Sequence, residues 1–517
     1  MPTGTSTRHK SNGARNGAAT NSRAALDQAV WSACDILRRS NCAGALQYVP
    51  ELTWMLFLRV LDAREAHEAT DSEIFDEPFT PSLQSPYRWS DWGAPDGPKR
   101  NQLVEGAMGS FKGFIDGELL PHLKRLKDQP GATARQKVIS EIIAGTERTR
   151  VDTERNLLDV LDRVHALDLA GDDYDDLFPL SQVYEGLLLK MGEKGNDGGQ
   201  FFTPRVLIRA VVKAINPQPS ETVYDPCGGT GGFLIEAFKN MGQRLDEEAT
   251  GADIATMGTR RLFGREKENL IFPIALANMV LHGIDAPNLW HGNTLSGYEH
   301  YGGLWADAPP VFDVILTNPP FGGQENAEVQ TRFAYRTSAT QILFLQHVVD
   351  SLAPNGRCGM VVDEGVMFRT NENAFVQTKR KLLDSCDLWA VVSLPPGTFA
   401  ATGAGVKTNL LFFTKGTSTE RVWYYDLADM KVTKRQPLTL SHFDEFFRLL
   451  PDRADSGRSW TVSREEIERH RFDLKAVNPN RRAEEDIRTP LEIIAEIEKH
   501  GLEVNQAMAH LRDLLKA

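Results

Sequence analysis

A glycine-rich turn between an apolar stretch and a helical pattern constrains the fold of this chain most strongly. The stretch Thr222-Val223-Tyr224 leads into Asp225-Pro226-Cys227-Gly228-Gly229-Thr230-Gly231-Gly232, and a helix opens at Phe233-Leu234-Ile235-Glu236-Ala237-Phe238. A strand, a glycine turn and a helix in this order form the first βα unit of a doubly wound sheet. The sequence therefore predicts an α/β fold with a Rossmann-like sheet.

The chemistry of the turn limits the ligand that it suits. Glycines let a backbone approach a ligand without Cβ clashes. The turn begins with the carboxylate of Asp225 and lacks the Lys-Ser/Thr pair of a phosphate-binding loop. We therefore expect a ligand that carries a positive group, and the amino group and sulfonium of S-adenosylmethionine fit that description.

A second motif, Asn318-Pro319-Pro320-Phe321, closes an apolar run at 312–317 that predicts a buried strand. Open α/β sheets place chemistry at the carboxyl ends of their strands. Paired prolines fix φ and remove donors, so carbonyl oxygens lie beside the Asn318 amide oxygen and can accept from an exocyclic amine. Phe321 offers a flat face to a planar base. The alternative interpretation is a proline-rich surface turn.

Further motifs in a fixed order identify a family. Gly199-Gln200-Phe201-Phe202-Thr203-Pro204-Arg205 precedes the glycine turn, and other matches are Pro86-Tyr87-Arg88-Trp89, Ser393-Leu394-Pro395-Pro396-Gly397-Thr398-Phe399 and Lys407-Thr408-Asn409-Leu410-Leu411-Phe412-Phe413. The ordered set resembles the N6-adenine DNA methyltransferases, in particular the modification (M) subunits of type I restriction-modification systems, over most of the chain. The resemblance implies methyl transfer from S-adenosylmethionine to N6 of adenine in double-stranded DNA.

The resemblance also assigns site residues. The catalytic residues are Asn318, Pro319, Pro320 and Phe321. The cofactor-binding residues are Gln200, Phe201, Phe202, Thr203, Pro204, Arg205, Asp225, Gly228, Thr230, Gly231, Gly232, Glu266, Asn293 and Thr294. No metal ion is expected.

Two of these assignments have specific geometry and open alternatives. Asp225 is expected to accept hydrogen bonds from the cofactor's amino group, directly or through water. Glu266 stands where the second strand should end, and a carboxylate there can accept from both ribose hydroxyls. The charged segment around Glu266 is equally typical of a helix start, and Phe201-Phe202 could instead be core packing.

One position departs from the family pattern. After the third strand the family commonly has an Asp that contacts the adenine amine of the cofactor, whereas this chain reads Gly292-Asn293-Thr294-Leu295. Asn293 can still accept through its carbonyl oxygen, with less charge assistance.

The target atom dictates the mechanism that we expect. The N6 lone pair of adenine is delocalised into the ring, so the site should accept the amine hydrogens on the Asn318 oxygen and the Pro319 carbonyl and stabilise the charge that develops on nitrogen. Because the amine is buried in duplex DNA, the base must be flipped out. Phe321 is the expected stacking platform, and Phe202 could close the other side.

Composition agrees with a cytoplasmic enzyme of several domains. The chain has 517 residues, and its five cysteines form no CxxC pair, so we expect neither disulfides nor structural zinc. No apolar run reaches membrane-spanning length, and the polar start does not read as a signal peptide. The formal net charge of -12 is unusual for a DNA-binding enzyme and points to DNA binding shared with a partner.

Four regions are expected along the chain. Residues 1–23 form a disordered polar tail, 24–191 a helical domain that contacts partners or DNA, 192–416 the methyltransferase domain and 417–517 a region with docking helices. Within the helical domain, Phe79 to Lys99 is expected to be a long loop. The acidic run at 172–176 is expected to be a solvated linker or helix start.

The carboxyl end predicts a docking element. Thr489-Pro490 begins a helix with an apolar stripe at Leu491, Ile494 and Ile497, and a second stripe follows at Val504, Met508, Leu511 and Leu515. A helical hairpin packed on its own domain and a coiled-coil contact with a DNA-sequence specificity subunit both fit this pattern.

The resemblance implies a larger assembly, and two other functions remain open. The implied partners are double-stranded DNA, the specificity subunit, a second copy of this chain and a restriction/translocase subunit. The chain has no GxxxxGK[ST] motif, so it is not itself the translocase. The rivals are a methyltransferase for an RNA base or a protein glutamine, and a non-catalytic scaffold in a phage-defence complex.

Overall fold

The computed structural model of the chain describes a helical part and a sheet part. The described residues are 28, 30–42, 44–76, 78–167, 203–245, 250–297, 302–304, 308–399, 406–433, 436–475, 477–480 and several positions within 494–508. Gln200, Phe201, Phe202 and the acidic run at 172–176 lie outside them.

Ten described strands form one sheet. They are β1 (Val223–Asp225), β2 (Leu262–Glu266), β3 (Asn288–His291), β4 (Gly302–Leu304), β5 (Phe312–Thr317), β6 (Leu352–Asp363), β7 (Cys386–Ser393), β8 (Thr408–Lys415), β9 (Arg421–Asp426) and β10 (Ser459–Ser463). Their order is β10-β9-β7-β8-β6-β5-β1-β2-β3-β4. Strands β3, β2, β1, β5 and β6 run parallel to one another, and β8 is antiparallel to both β6 and β7. The α/β fold predicted from the sequence is confirmed.

The parallel strands bring distant segments to one edge. Tyr224 on β1 is level with Phe263 on β2 and with Ile315 on β5. The strand order in the sheet reverses at β1: β2 lies on one side of β1, and β5 lies on the other. Ligands of open α/β sheets bind at such a switch point, beyond the carboxyl ends of the strands.

Helices cover both faces of the sheet. They are α9 (Arg205–Ile215), α10 (Gly232–Gly242), α11 (Gly251–Arg260), α12 (Ile271–Leu281), α13 (Ala327–Gln330), α14 (Thr340–Ser351), α15 (Glu364–Phe368), α16 (Asn373–Ser385), α17 (Asp444–Leu449) after a 3-10 turn (Leu440–Phe443), and α18 (Arg464–Arg469). Strand β8 shows why two cores form: Leu410 and Phe412 belong to one buried cluster, whereas Leu411 and Phe413 belong to the other. Alternate residues of a strand point to opposite faces, so a fully apolar strand is buried on both.

The sheet continues past residue 416, where the sequence analysis placed a domain boundary. Strand β9 pairs in parallel with β7, and β10 pairs antiparallel with β9. The side chains of Trp423, Tyr424 and Tyr425 are buried. The segment after residue 416 therefore completes the sheet instead of beginning a separate core.

The amino-terminal part is a helical assembly with its own core. Its helices are α1 (residues 30–39), α2 (Ala45–Phe75), α3 (Trp89–Trp92), α4 (Pro98–Val104), α5 (Ser110–Phe114), α6 (Leu120–Arg125), α7 (Ala134–Ile143) and α8 (Glu154–His165), with a π turn (Ile115–Leu119) and a 3-10 turn (Leu126–Asp128). We call residues 30–167 of this part the helical domain.

The prediction of a continuous loop from Phe79 to Lys99 was wrong in part. Helix α3 lies inside it, and α4 begins at Pro98. Trp89 and Trp92 are buried, and the Trp92 ring stacks on Trp54 of α2 with ring centroids 6.3 Å apart. Burial of these aromatic side chains stabilises a helical turn that the local Pro and Ser content does not favour.

No helix among the described residues is both long and apolar enough to span a membrane. Near the carboxyl end, Ile494, Val504 and Met508 of the predicted stripes are described, and their exposed fractions are 51%, 61% and 48%. The other stripe positions, Leu491, Ile497, Leu511 and Leu515, lie outside the described residues.

Candidate active site

Four polar side chains stand at or just past the carboxyl ends of neighbouring strands. Asp225 ends β1, Glu266 ends β2, Asn293 follows β3 by two residues and Asn318 follows β5 directly. Because these strands are parallel neighbours, the four side chains lie along one edge of the sheet. The sequence predicted the strand ends at Glu266 and before Asn318, and the structure has them there.

The glycine turn wraps over the end of β2. The Gly228 N–H donates to the Arg265 carbonyl oxygen at 2.7 Å, and the Gly229 N–H donates to Glu266 Oε2 at 2.8 Å. Gly231 is the N-cap of α10 and has φ +81°, a left-handed conformation that favours glycine. A Cβ built at Gly228 would lie 3.2 Å from the Arg265 carbonyl oxygen, so this position has no room for a larger residue.

Two buried carboxyl groups flank the turn. Asp225 is 1% exposed; its Oδ1 accepts from the Cys227 N–H at 3.0 Å, and its Oδ2 has no partner among the described residues. Glu266 accepts from the Gly229 N–H and from the Glu268 N–H at 2.7 Å. Burial raises the pKa of each of these two carboxyl groups to about 7. Each has a carboxylate oxygen with capacity for another donor.

Asn318 is oriented by a hydrogen bond to Thr203. Its Nδ2 donates to Thr203 Oγ1 at 3.0 Å, while its Oδ1 is buried without a partner among the described residues. Since the amide nitrogen is held by Thr203, the amide oxygen is left to accept from a ligand. Pro319 is buried, and Pro320 lines the cleft described below. Thr203 and Pro204 thus lie beside the Asn318 motif, and Arg205 begins α9.

Phe321 is half-buried against a second aromatic ring. The rings of Phe321 and Phe399 meet edge to face, with centroids 5.1 Å apart and planes at 86°. Phe399 is fully buried, so this contact packs the Phe321 ring against the buried core of the sheet. The sequence analysis placed Phe399 only in a family motif and gave it no role in the site.

The turn after β3 contains two of the predicted residues. Thr294 Oγ1 donates to the Pro226 carbonyl oxygen at 2.6 Å, which ties this turn to the glycine turn. Asn293 Oδ1 accepts from the Leu295 N–H at 2.9 Å, and its Nδ2 donates to Glu325 Oε2 at 3.4 Å. The Asn293 oxygen therefore already accepts a hydrogen bond within the turn. The charged acceptor nearby is Glu325, which the sequence analysis did not identify.

A cleft of about 670 Å³ that opens to solvent lies along this edge of the sheet; Asp225, Thr203 and Phe321 are not among the residues that line it. Its lining includes Glu266, Asn293, Thr294, Asn318 and Pro320 from the predicted set, together with the turn residue Gly229. It also includes Cys227, Arg265, Lys267, Glu325, Thr340 and Phe344, which had no predicted role. Thr340 and Phe344 belong to α14, and only the folded chain brings that helix to the edge of the sheet.

Comparisons with known proteins match this chain to one family. The family described as N-6 DNA Methylase matches residues 174–487, and the HsdM N-terminal domain matches residues 26–147. The methylase subunit of the type I restriction enzyme EcoEI from Escherichia coli is 29% identical over 95% of this chain and 98% of its own length. The methylase subunit of the type I enzyme EcoKI from Escherichia coli K12 is 32% identical over 81% of this chain and 74% of its own length.

Solved structures give the same result. A chain from a type I restriction-modification assembly is 37% identical, with a TM-score of 0.70 over 96% of this chain and 99% of that one. A modification subunit from Vibrio vulnificus YJ016 is 29% identical, with a TM-score of 0.77 over 89% of this chain and 97% of that one. The family expected from the sequence motifs is thereby confirmed. This chain belongs to the N-6 DNA methylase family, and within it to the modification subunits of type I restriction-modification systems.

Proposed function

We propose that the cleft at the carboxyl edge of the sheet methylates N6 of adenine in double-stranded DNA, with Asn318 as the acceptor for the target amine. One observation carries this assignment to a residue: the Asn318 amide oxygen is buried, unpartnered among the described residues and fixed by the bond from its nitrogen to Thr203. A buried acceptor without a donor costs free energy, and a ligand amine at this position offsets that cost.

The residues present fit S-adenosylmethionine, the methyl donor of this family. When bound, the cofactor supplies an electrophilic methyl group on a sulfonium. Asp225 Oδ2 is a buried acceptor without a donor among the described residues, which suits the cofactor's amino group. Gly228, Thr230, Gly231 and Gly232 form the close backbone turn beside it.

The remaining polar groups suit the nucleoside part of the cofactor. Glu266 accepts ribose hydroxyls on its remaining lone pairs, and Asn293, Thr294 and Glu325 line the part of the cleft next to it. By family resemblance, the segment Gln200 to Arg205 encloses the methionine end. Glu325 supplies the carboxylate that the family commonly has at the Asn293 position.

The chemical work of the protein at the target is electrostatic. Adenine N6 donates its hydrogens to Asn318 Oδ1 and to the Pro319 carbonyl oxygen, so its lone pair is turned out of the ring system. The positive charge that develops on this nitrogen as it gains a methyl group is stabilised by the same two fixed dipoles until the nitrogen releases one of its protons to solvent. The base leaves the duplex to reach them, and its ring stacks on Phe321, which packs against Phe399.

Exchange of the amide tests this assignment. Asn318→Ala should lower the methylation rate by about 10² to 10³ and leave the dissociation constant for S-adenosylmethionine nearly unchanged, because it removes a preorganised acceptor for the amine. Thr203→Val is the matched variant: it keeps the Asn318 amide and removes only its orienting hydroxyl, so its loss should be about tenfold. A parallel loss of rate and cofactor affinity in Asn318→Ala would overturn the division of roles.

We further propose that the chain works in the cytoplasm within a larger complex. Its partners are a DNA-sequence specificity subunit, a second copy of this chain and a restriction/translocase subunit. Two observations support shared DNA binding: the net charge of -12 and the exposure of Ile494, Val504 and Met508 in the predicted docking helices. The matching family is described as N-6 DNA Methylase, and the relatives are methylase subunits of restriction enzymes, which disfavours RNA or protein glutamine as the substrate.

A further inference from the structure

Helix α12 lies between the core of the helical domain and the core of the sheet. Ile271, Phe272 and Leu276 are buried in the same cluster as α2 and α7, whereas Met279 belongs to the cluster beneath the glycine turn. Nine of its eleven residues are buried. A helix that is apolar all round is held by both bodies that it separates, so a shift of either is transmitted to it.

On the sheet side, α12 contacts the backbone of the glycine turn. Asn278 is 4% exposed, and its Nδ2 donates to the Thr230 carbonyl oxygen at 2.8 Å. The next residue, Met279, fills the space beside Gly231, where a built Cβ would lie 3.1 Å from Met279 Cγ. Asn278 and Met279 therefore support the turn from beneath, while Gly229 of the same turn lines the cleft.

On the other side, two arginines of the helical domain contact the end of α12 and the segment that follows it. Arg64 Nη1 donates to the Val280 carbonyl oxygen at 2.8 Å, and Arg64 and Arg135 both pair with Asp285, at 3.0 and 2.8 Å. Glu68 pairs with both arginines as well, at 2.9 and 2.8 Å. The side chains of Arg64 and Arg135 are only 14% and 16% exposed, so solvent screens these contacts less than those of a surface pair.

We propose that Asn278 is a positioning residue for the cofactor turn, and that α12 couples the placement of the helical domain to cofactor affinity through the Arg64–Arg135–Asp285 network. The inference rests on the proposed cofactor site. Through these contacts, which lie outside the cleft, a partner or DNA bound to the helical domain alters the affinity of the cleft for S-adenosylmethionine. By linkage, the cofactor alters the affinity for that partner by the same factor.

The first test replaces the amide. Asn278→Leu keeps nearly the same volume, removes the donor and leaves the Thr230 carbonyl unpaired. We expect S-adenosylmethionine to bind about tenfold more weakly by calorimetry. In steady state, KM for the cofactor should rise while kcat at saturating cofactor stays near wild type. Without cofactor, the amides of 226–232 should exchange faster with deuterium, as measured by mass spectrometry.

The second test leaves α12 and the turn unchanged. Asp285→Ala removes the carboxylate that Arg64 and Arg135 share, and about threefold to tenfold weaker cofactor binding is expected. The matched control is Glu221→Ala, which breaks the pair of Glu221 with Arg357 at 2.7 Å. That pair lies before the start of β1, at the other edge of the sheet from the cleft, so its loss should lower the melting temperature but leave cofactor affinity unchanged.

The outcomes separate this inference from the proposed site. If the wild-type chain fails to bind S-adenosylmethionine, the proposed site and the inference both fall. If the wild type binds S-adenosylmethionine, and Asn278→Leu and Asp285→Ala both bind it as tightly as the wild type does, only the coupling through α12 is wrong. If Glu221→Ala weakens binding as much as Asp285→Ala, the effect is general destabilisation and the inference is wrong.

Discussion

Two buried oxygens at the carboxyl edge of the sheet, Asp225 Oδ2 and Asn318 Oδ1, define what the site can bind. Each of these oxygens lacks a hydrogen-bond donor among the described residues. The Asp225 position is suited to a cation and the Asn318 position to a neutral amine, because one is a carboxyl group and the other an amide. This difference separates cofactor binding from amine activation.

The pKa of Asp225 leads to a pH dependence of cofactor binding. Burial raises the pKa of Asp225 to about 7 in the cofactor-free protein, and the same cause raises that of Glu266 to about 7. A cationic amine needs the ionised carboxylate, so affinity should fall by up to about tenfold per pH unit below 7 for each group required. Calorimetry from pH 8 to pH 6 should show this loss, with proton release on binding at pH 6.5.

The same shifts have the opposite sign for folding. Since both folded-state pKa values exceed their ordinary values, these groups favour the folded, cofactor-free protein at low pH, and that contribution is lost as the pH rises through 7.

Glu266→Gln should remove one part of the pH dependence of cofactor binding. An affinity that stays constant from pH 6 to 8 would contradict the assignment of either carboxyl group.

Single residues also show what sequence patterns can locate. Glu266 and Asn318 were found because each follows an apolar run that reads as a strand, and strand ends in this fold face ligands. Glu325 and Phe399 were missed because their places depend on tertiary contacts: Glu325 meets Asn293 across 32 positions of sequence, and Phe399 meets Phe321 across more than twice that separation. No local period encodes such a contact.

The glycine turn is the element on which cofactor binding depends most. Gly231→Val introduces a branched side chain at φ +81°, into space already filled by Met279. We expect loss of S-adenosylmethionine binding, measured by calorimetry, because the turn must shift away from Met279 and lose its conformation. Circular dichroism should show that the secondary structure persists.

A matched substitution separates the turn from general glycine loss. Gly457→Val changes a glycine at which a built Cβ meets nothing within 4 Å, and it should bind cofactor normally. Normal binding by Gly231→Val would mean that this turn does not hold the cofactor.

Elements differ in how well the sequence reports them. The apolar run at 312–317 predicted β5. Five of the six residues in this strand are buried, as the parallel strands of such a sheet require. Helix α3 was missed because its two tryptophans are stabilised by other segments: the Trp92 ring stacks on Trp54 of α2, and Trp89 Nε1 donates to His165 of α8. The continuation of the sheet by β9 was also missed, since pairing between β7 and β9 is set by packing and not by any local pattern.

For the whole molecule, charge and exposed apolar side chains point to assembly. With 58 Lys and Arg against 70 Asp and Glu, the chain alone should bind DNA weakly and without sequence preference. Deletion of 491–517 should abolish co-purification with a specificity subunit and site-specific methylation, while S-adenosylmethionine still binds. A truncated chain that still forms the complex would show that the docking surface lies elsewhere.

The central claim is that the site containing Asn318 methylates N6 of adenine in DNA. Methylome sequencing of host DNA tests this claim most directly. The comparison is between a strain with this gene and its neighbours, a strain that lacks only this gene, and the deletion strain carrying the Asn318→Ala variant. We predict N6-methyladenine at one defined sequence in the first strain and its loss in the other two, with the variant protein still present and still binding cofactor. Methylation of that sequence at the wild-type level by Asn318→Ala, or unchanged methylation after deletion, would contradict the account.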